Sequence, residues 1–460
     1  MKKTVVINIV GLTQRLIGKH TPFIKAFQEK AASATVKPVL PAVTCSAQST
    51  YLTGKWPSEH GIVGNGWYNK EQAEIGFWKQ SNKNVQGEKI WDLLKKEDPN
   101  FTCANMFWWY NMYSNADYSV TPRPNYLADG RKIPDCYSHP AGLRDTLQKE
   151  LGMFPLFNFW GPKTSIKCSK WIADASLRTD ALYDPTLTLI YLPHMDYNTQ
   201  RYGIDFDKIG KDLEEIDAVV KDLVNYYEKK HANVILLSEY GITNVNQPVH
   251  LNRILRKEGY LGIRTERGLE LLDAGASKAF AVSDHQIGHI YLNDPSLKAA
   301  VVKLMENTPG IEQVLTGESR AAAHLDHDRA GDIVVVADKN SWFTYYFWDD
   351  DDKAPDYARM VDIHKKPGYD PVEMLTDPAD KLVMPKVAWK LLRKKMGFRQ
   401  VLDIIPLKAE LIKGSHGRIP EDPADHPIFM TNRKNLLERD RVQAIDVFDL
   451  MRKHVLNEVK

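Results

Sequence analysis

No apolar run in this chain approaches the roughly 20 residues that a bilayer-crossing helix needs. The N-terminal stretch Thr4-Val5-Val6-Ile7-Asn8-Ile9-Val10, after Met1-Lys2-Lys3, is short and interrupted by Asn8. It runs into Gln14 and Arg15 with no small-residue cleavage site, so it reads as a first core strand and not as a secretory signal. Cysteine is scarce. The four present (Cys45, Cys103, Cys136 and Cys168) form no CxxC pair and no metal spacing, which argues against a disulfide framework and for free thiols in a reducing, cytoplasmic compartment. An excess of charge is also missing. With 61 basic and 59 acidic groups the formal net charge is +2, which gives no electrostatic reason to expect nucleic acid or a membrane as partner. Repeats and low-complexity blocks are absent, and no aspartate precedes Asp92.

What is present is the composition of a large α/β protein: 460 residues, 43% hydrophobic and 26% charged. Short β-branched runs alternate with longer stretches of helical periodicity, the pattern of a mainly parallel sheet covered on both faces. Strands are expected at 4–10, 187–193, 233–238 and 332–337, and helices at 14–31, 45–53, 142–151, 207–229 and 296–306. The whole chain, 1–460, reads as one domain. Within it, 101–170 is so rich in aromatics (Phe107-Trp108-Trp109-Tyr110, then Phe154 to Trp160) that it is expected to form a cap or insertion over the sheet edge or site mouth, or an aromatic satellite core. The acidic run Asp349 to Asp352 reads as a solvated turn.

Chemistry concentrates in two adjoining segments. In Pro41-Ala42-Val43-Thr44-Cys45, Thr44 falls where a helix is expected to start. Unpaired N–H groups and the positive end of the helix dipole suit a phosphate there, although a threonine in this place can equally be a plain helix cap. Ser58-Glu59-His60-Gly61-Ile62-Val63-Gly64-Asn65 follows. Together the two segments resemble the type I phosphodiesterase/nucleotide pyrophosphatase family of the alkaline phosphatase superfamily. The resemblance implies an α/β/α sandwich, with Thr44 attacking phosphorus and Asn65 donating a hydrogen bond to a phosphoryl oxygen. Further elements match the family: Asp196 to Gly203, Ser238-Glu239-Tyr240-Gly241, a stretch from His324 to Asp332, and Gly414-Ser415-His416-Gly417 with Pro427-Ile428-Phe429.

The same resemblance implies one or two divalent ions, zinc in the family, held at strand ends. Here the pattern departs. Val10 stands where the family has the strand-one aspartate, with Asn8 two residues earlier offering only a neutral oxygen. Glu239 replaces aspartate, Tyr240 replaces histidine, and Gln200 replaces a second histidine. Thr44, Asp196 and His416 keep the expected ligand types. The metal set expected from sequence is therefore Asp196, Glu239 and His416, with Asn8 and Gln200 at inherited positions and His364 as a replacement donor; His194, His285 and His250 are further candidates. The functional expectation is a metal-dependent hydrolase of a small phosphodiester, phosphomonoester, nucleotide pyrophosphate or related ester. The alternative is a degenerate relative that binds a phosphate-containing ligand without turnover. A phosphomutase-like role ranks last, because such relatives use a richer metal set.

Overall fold

The β-branched runs lie at the middle of the molecule, in a computed structural model that describes residues 1–128 and 131–458. Among the described residues, nine strands form one sheet. Seven come first: β1 (Thr4–Ile9), β2 (Ala32–Lys37), β3 (Cys103–Met106), β4 (Tyr118–Pro122), β5 (Cys136–His139), β6 (Leu187–Leu192) and β7 (Asn233–Leu237). The chain then leaves the sheet for β8 (Ala279–Asp284), β9 (Ile287–Leu292), β10 (Ile311–Leu315) and β11 (Ile333–Ala337), and returns as β12 (Ile428–Thr431) and β13 (Arg441–Gln443). The sheet order is β13-β2-β12-β7-β1-β6-β3-β4-β5. The central pairings of β1 with β6 and β7, and of β3 with β6 and β4, are parallel, while β12 and the edge strand β5 pair antiparallel.

Every residue of β1, β6 and β7 is buried, as required of strands covered on both faces. Helices α1 (Pro22–Lys30), α2 (Thr44–Thr53), α3 (Ile90–Glu97), α4 (Ala141–Leu151), α5 (Ile166–Tyr183), α6 (His194–Tyr202) and α7 (Phe206–Lys229) are followed by α8 (Val383–Lys395) and α9 (Asp446–Leu456). One layer packs α1 and α5 against α7, and another packs α9 against α2 and α3. The fold is thus α/β with a large, mainly parallel central sheet, as expected.

Three local expectations change. The helix expected at 14–31 is a 3-10 turn, Gln14–Leu16, followed by α1, because Gly18 and Pro22 break the periodicity. The strand expected at 332–337 is β11, which belongs to a separate antiparallel sheet of order β8-β9-β11-β10. The segment 101–170, of which 129 and 130 lie outside the described residues, supplies β3, β4 and β5 to the central sheet instead of standing over it. Its aromatics are largely interior: Phe107 and Phe154 pack ring to ring and against Trp171 of α5, and Trp109 and Tyr110 pack beside Cys45 and Ile62.

Parallel register sets where a site can form. Asn8 lies level with Tyr191 on one side and Leu237 on the other, so the segments leaving β1, β6 and β7 emerge at one edge of the sheet.

Candidate active site

Helix α2 begins at Thr44, with Val43 as an extended residue before it. The hydroxyl of Thr44 makes no capping bond; Thr44 Oγ1 instead lies 3.2 Å from the Tyr240 hydroxyl. Glu239 and the Tyr191 phenol are also within interaction range of this hydroxyl. Asn65 is committed on three sides. Its Oδ1 accepts from the Cys45 N–H at 3.0 Å, and its Nδ2 and backbone N–H donate to Asp284 at 3.1 and 2.7 Å. It thereby ties the start of α2 to the β8–β9 turn. One hydrogen of its amide is left for a ligand.

The loop between Thr44 and Asn65 is braced from several directions. His60 accepts the Ile62 N–H at Nδ1 (3.1 Å), and its Nε2 lies 3.0 Å from Thr50 Oγ1. Gly61 adopts a left-handed φ of 75° while its carbonyl accepts from Arg329 at 2.9 Å. His289 donates to the Val63 carbonyl at 2.9 Å. His60, Arg329 and His289 thus support the backbone and do not reach toward Thr44.

Glu239 follows β7 and is fully buried. Asn8 Nδ2 and Gln48 Nε2 each donate to its Oε1 at 2.5 Å, while its Oε2 has no partner. Burial, offset in part by those donors, pushes the Glu239 carboxyl up to about 8, so it is a neutral acid at neutral pH. Asp196, on the first turn of α6, accepts from the Tyr240 hydroxyl at 3.2 Å. Burial pushes Asp196 up to about 6. A hydrogen-bonded chain therefore runs from Thr44 through Tyr240 to Asp196. The Gln200 amide is turned toward Asp196, with its Oε1 held by the Tyr369 hydroxyl at 3.1 Å.

Over this chain stands a column of four rings. Tyr240 stacks on His416 (centroids 3.6 Å apart), His416 meets His285 at 3.7 Å with the rings tilted by 38°, and His285 stacks on Tyr369 (3.6 Å). His416 Nδ1 donates to the Ala42 carbonyl at 2.7 Å, and His285 Nδ1 lies 2.8 Å from Asp284 Oδ1. The Nε2 atoms of both rings are buried without partners, and desolvation keeps both imidazoles neutral. The site is buried: Thr44 is 4% exposed and Asp196 8%.

The fold therefore gathers Thr44, Asn65, Asn8, Asp196, Gln200, Glu239 and His416 at one place, and adds Tyr191, Tyr240, Asp284, His285 and Tyr369. His364 is not among them. Its Nδ1 meets the Phe77 carbonyl at 3.3 Å, because the loop after Met360 packs on the Gly66–Phe77 hairpin. His250 bonds Thr344 elsewhere. His194 points away to Asp212 and Glu215 at 3.3 and 3.4 Å. That trio is the one group of three His, Cys, Asp or Glu residues among the described residues whose ligand atoms all lie within 4.8 Å of one another. The Thr44 cluster holds no such group.

The donors around Thr44 do not fit a pair of zinc ions. Val10 is apolar, Tyr240 is a neutral phenol whose ring is locked in the stack, and Glu239 is buried among amide donors. Asp196 Oδ1 and His416 Nε2 lie 3.8 Å apart. His285, one of the further candidates named from sequence, does reach the site, carried with Asp284 on a tight turn at φ 59°. Tyr191 and Tyr369 were missed, because they carry no motif that marks them apart from core tyrosines.

Comparison with known proteins places these features. The family model for type I phosphodiesterase / nucleotide pyrophosphatase matches residues 4–370. An uncharacterised pyrophosphatase/phosphodiesterase of Schizosaccharomyces pombe is 26% identical over 261 residues, covering 54% of this chain and 42% of that protein. Ectonucleotide pyrophosphatase/phosphodiesterase 2 of Saccharomyces cerevisiae is 23% identical over 386 residues, covering 78% and 69%. Among solved structures, an inactive variant of murine ectonucleotide pyrophosphatase/phosphodiesterase 5 in complex with AMP superposes with a TM-score of 0.59 at 15% identity, covering 100% of this chain and 96% of that one. Phosphonoacetate hydrolase from Sinorhizobium meliloti, in complex with phosphonoacetate, gives 0.62 at 13%, covering 99% and 96%. At these identities the structural matches speak for a shared alkaline phosphatase-like fold.

Proposed function

The chain belongs to the type I phosphodiesterase/nucleotide pyrophosphatase family, and from that premise we propose that it hydrolyses a phosphodiester or pyrophosphate bond of a small substrate, with Thr44 as the attacking group. The observation that carries this reading is the chain Thr44 Oγ1–Tyr240–Asp196, with both links 3.2 Å long. In the proposed step Thr44 oxygen bonds to phosphorus and the bond from phosphorus to the leaving oxygen breaks. The Thr44 proton passes to the Tyr240 oxygen as the Tyr240 proton passes to Asp196. Water then attacks phosphorus and the bond from phosphorus to the Thr44 oxygen breaks; the relay runs back from Asp196 through Tyr240 to restore the Thr44 hydroxyl, and the proton that the attacking water releases is taken up, through solvent, by the departed oxygen. In this reading neutral Glu239, whose Oε2 has no partner, and the spare amide hydrogen of Asn65 donate to phosphoryl oxygens.

No step here is routed through a metal. A single divalent ion, if bound between Asp196 and His416, would supply positive charge against the phosphate. A pair of zinc ions found by elemental analysis, both lost on Asp196→Asn, would overturn that part of the reading. The unpaired thiols Cys45, Cys103, Cys136 and Cys168 support a reducing, cytoplasmic location as part of the same proposal.

A second reading is favoured by the burial of Thr44, 4% exposed: a degenerate family member holding a phosphate-containing ligand. Turnover of bis(p-nitrophenyl) phosphate separates the two. The first reading expects hydrolysis by the native protein and none by Thr44→Ala. Binding of AMP or phosphonoacetate, the ligands held by the structural neighbours, without any turnover supports the second.

A further inference from the structure

Residues 381–399 lie beyond the region matched by the family model, which ends at 370. They contain seven lysines and arginines and no acid; subtracting these seven from the chain's +2 leaves −5 on the rest. Most of the segment is α8, Val383–Lys395. At about 100° per residue, Met384, Val387, Ala388, Leu391 and Leu392 share one face with Trp389 at its margin and Lys395 ending it at the last turn, while Lys386, Lys390 and Arg393 share the other and Lys394 stands at the boundary beside Val387. An amphipathic helix of a folded protein normally buries its apolar face on its own core. This one does not. None of its residues is buried, and Met384 is 69%, Trp389 58%, Leu392 49% and Leu391 44% exposed. The flanking Leu382, Met396, Phe398 and Val401 are exposed as well. Single exposed apolar residues need no explanation, but a contiguous set of them does.

We propose that this face docks on the surface of an anionic lipid bilayer. Charge decides between possible occupants. A second copy would set seven cationic side chains against seven more, whereas anionic headgroups attract them. Length decides between lying on the bilayer and crossing it: the 13 residues of α8 reach about 20 Å, short of a hydrocarbon core of about 30 Å. Lys386 pairs with Asp380 at 2.6 Å and Lys390 with Asp403. Lys381, Arg393, Lys394, Lys395 and Arg399 form no ion pair among the described residues, and Arg393 lies over the Phe398 ring at 5.4 Å. Trp389 with the Leu and Met side chains enters the boundary between headgroups and acyl chains, and the cations neutralise the headgroups around them. The chain-wide balance of charge, which gave no reason to expect a membrane, averages this segment away. The proposal stands apart from the chemistry at Thr44.

The test is co-sedimentation of the full chain with vesicles of phosphatidylcholine containing phosphatidylserine, and with phosphatidylcholine alone. Binding to the serine-containing vesicles is expected, weaker by about tenfold or more on the neutral ones and in high salt. The Leu391→Glu/Leu392→Glu variant is expected to lose at least about tenfold in affinity. Lys394→Glu/Lys395→Glu should lose the preference for phosphatidylserine. All four positions are exposed, so the fold survives, which circular dichroism checks. Native protein left in the supernatant with both vesicles overturns the proposal, as does native-like binding by Leu391→Glu/Leu392→Glu. A native dimer in sedimentation velocity that the leucine variant dissociates, with no vesicle binding, assigns the face to a second copy and overturns it too.

Discussion

Tyr240 donates its only proton to Asp196 Oδ1, which leaves its oxygen lone pairs to accept from Thr44 and so fixes the direction of the chain. Tyr240→Phe removes the relay without emptying the ring column, so kcat is expected to fall by about 10²- to 10⁴-fold while KM changes little. The pH profile carries a sharper signature. Asp196 must be ionised to receive a proton, and burial has pushed it up to about 6, so activity rises through that pH. Glu239 must be protonated to donate, and burial has pushed it up to about 8, so activity falls above that. A bell with limbs near these values is the expected kcat/KM profile. Glu239→Gln keeps a neutral donor and should keep activity while losing the alkaline limb. An alkaline limb unchanged in that variant would remove Glu239 from the chemistry.

Elements hold these groups in place, and one close approach shows how. Gly241 follows Tyr240 and bridges to Gly11 at the end of β1; a Cβ there would run into the carbonyl oxygen of Asp425. Gly241→Ala is therefore expected to destabilise by about 1–3 kcal/mol or more, read as a lower Tm, and to lower activity by moving Tyr240. The same segment illustrates what was legible in the sequence. The motif around Ser238 to Gly241 and the apolar runs of β1, β6 and β7 were readable, because unbroken β-branched stretches have few alternatives to a buried strand. The strands β3, β4, β5, β12 and β13 are three to five residues long, and their sequences carry too little period to be told from loops. His285 was visible only as one histidine among several, since its place in the site depends on the β8–β9 turn reaching Asn65 from more than two hundred residues away. His364 had the right chemistry on paper but the wrong neighbours.

Across the whole molecule, buried groups of opposite type pull stability in opposite directions as pH changes. His60, His289 and His454 are satisfied as neutral rings, the last with Nδ1 donating to the Leu450 carbonyl and Nε2 2.7 Å from Thr431 Oγ1. Burial lowers His60 to about 3 and His289 and His454 to about 4, against 6.5 when unfolded. Below pH 6.5 the unfolded chain takes up protons that these rings refuse, so each costs stability on acidification, on the order of 1 kcal/mol per pH unit. Buried His285 and His416 act in the same sense. Glu239 and Asp196 act in the opposite sense. Their folded values of about 8 and 6 lie above the unfolded 4.5 and 3.8, so the folded state holds the extra proton and loses stability as pH rises through those windows. From 6.5 up to 8 only the Glu239 contribution changes among these groups; from 6 down to 4.5 the histidines outnumber the two acids; below 4.5 they are increasingly unopposed. Thermal melting is therefore expected to peak near pH 6.5, with a shallow alkaline decline and a steeper acid one. Glu239→Gln should flatten the first, and His454→Gln should ease the second. A melting temperature that keeps rising from pH 6.5 to 8 in the native protein would mean that Glu239 is ionised in the fold, and the neutral donor assigned to the site would be lost with it.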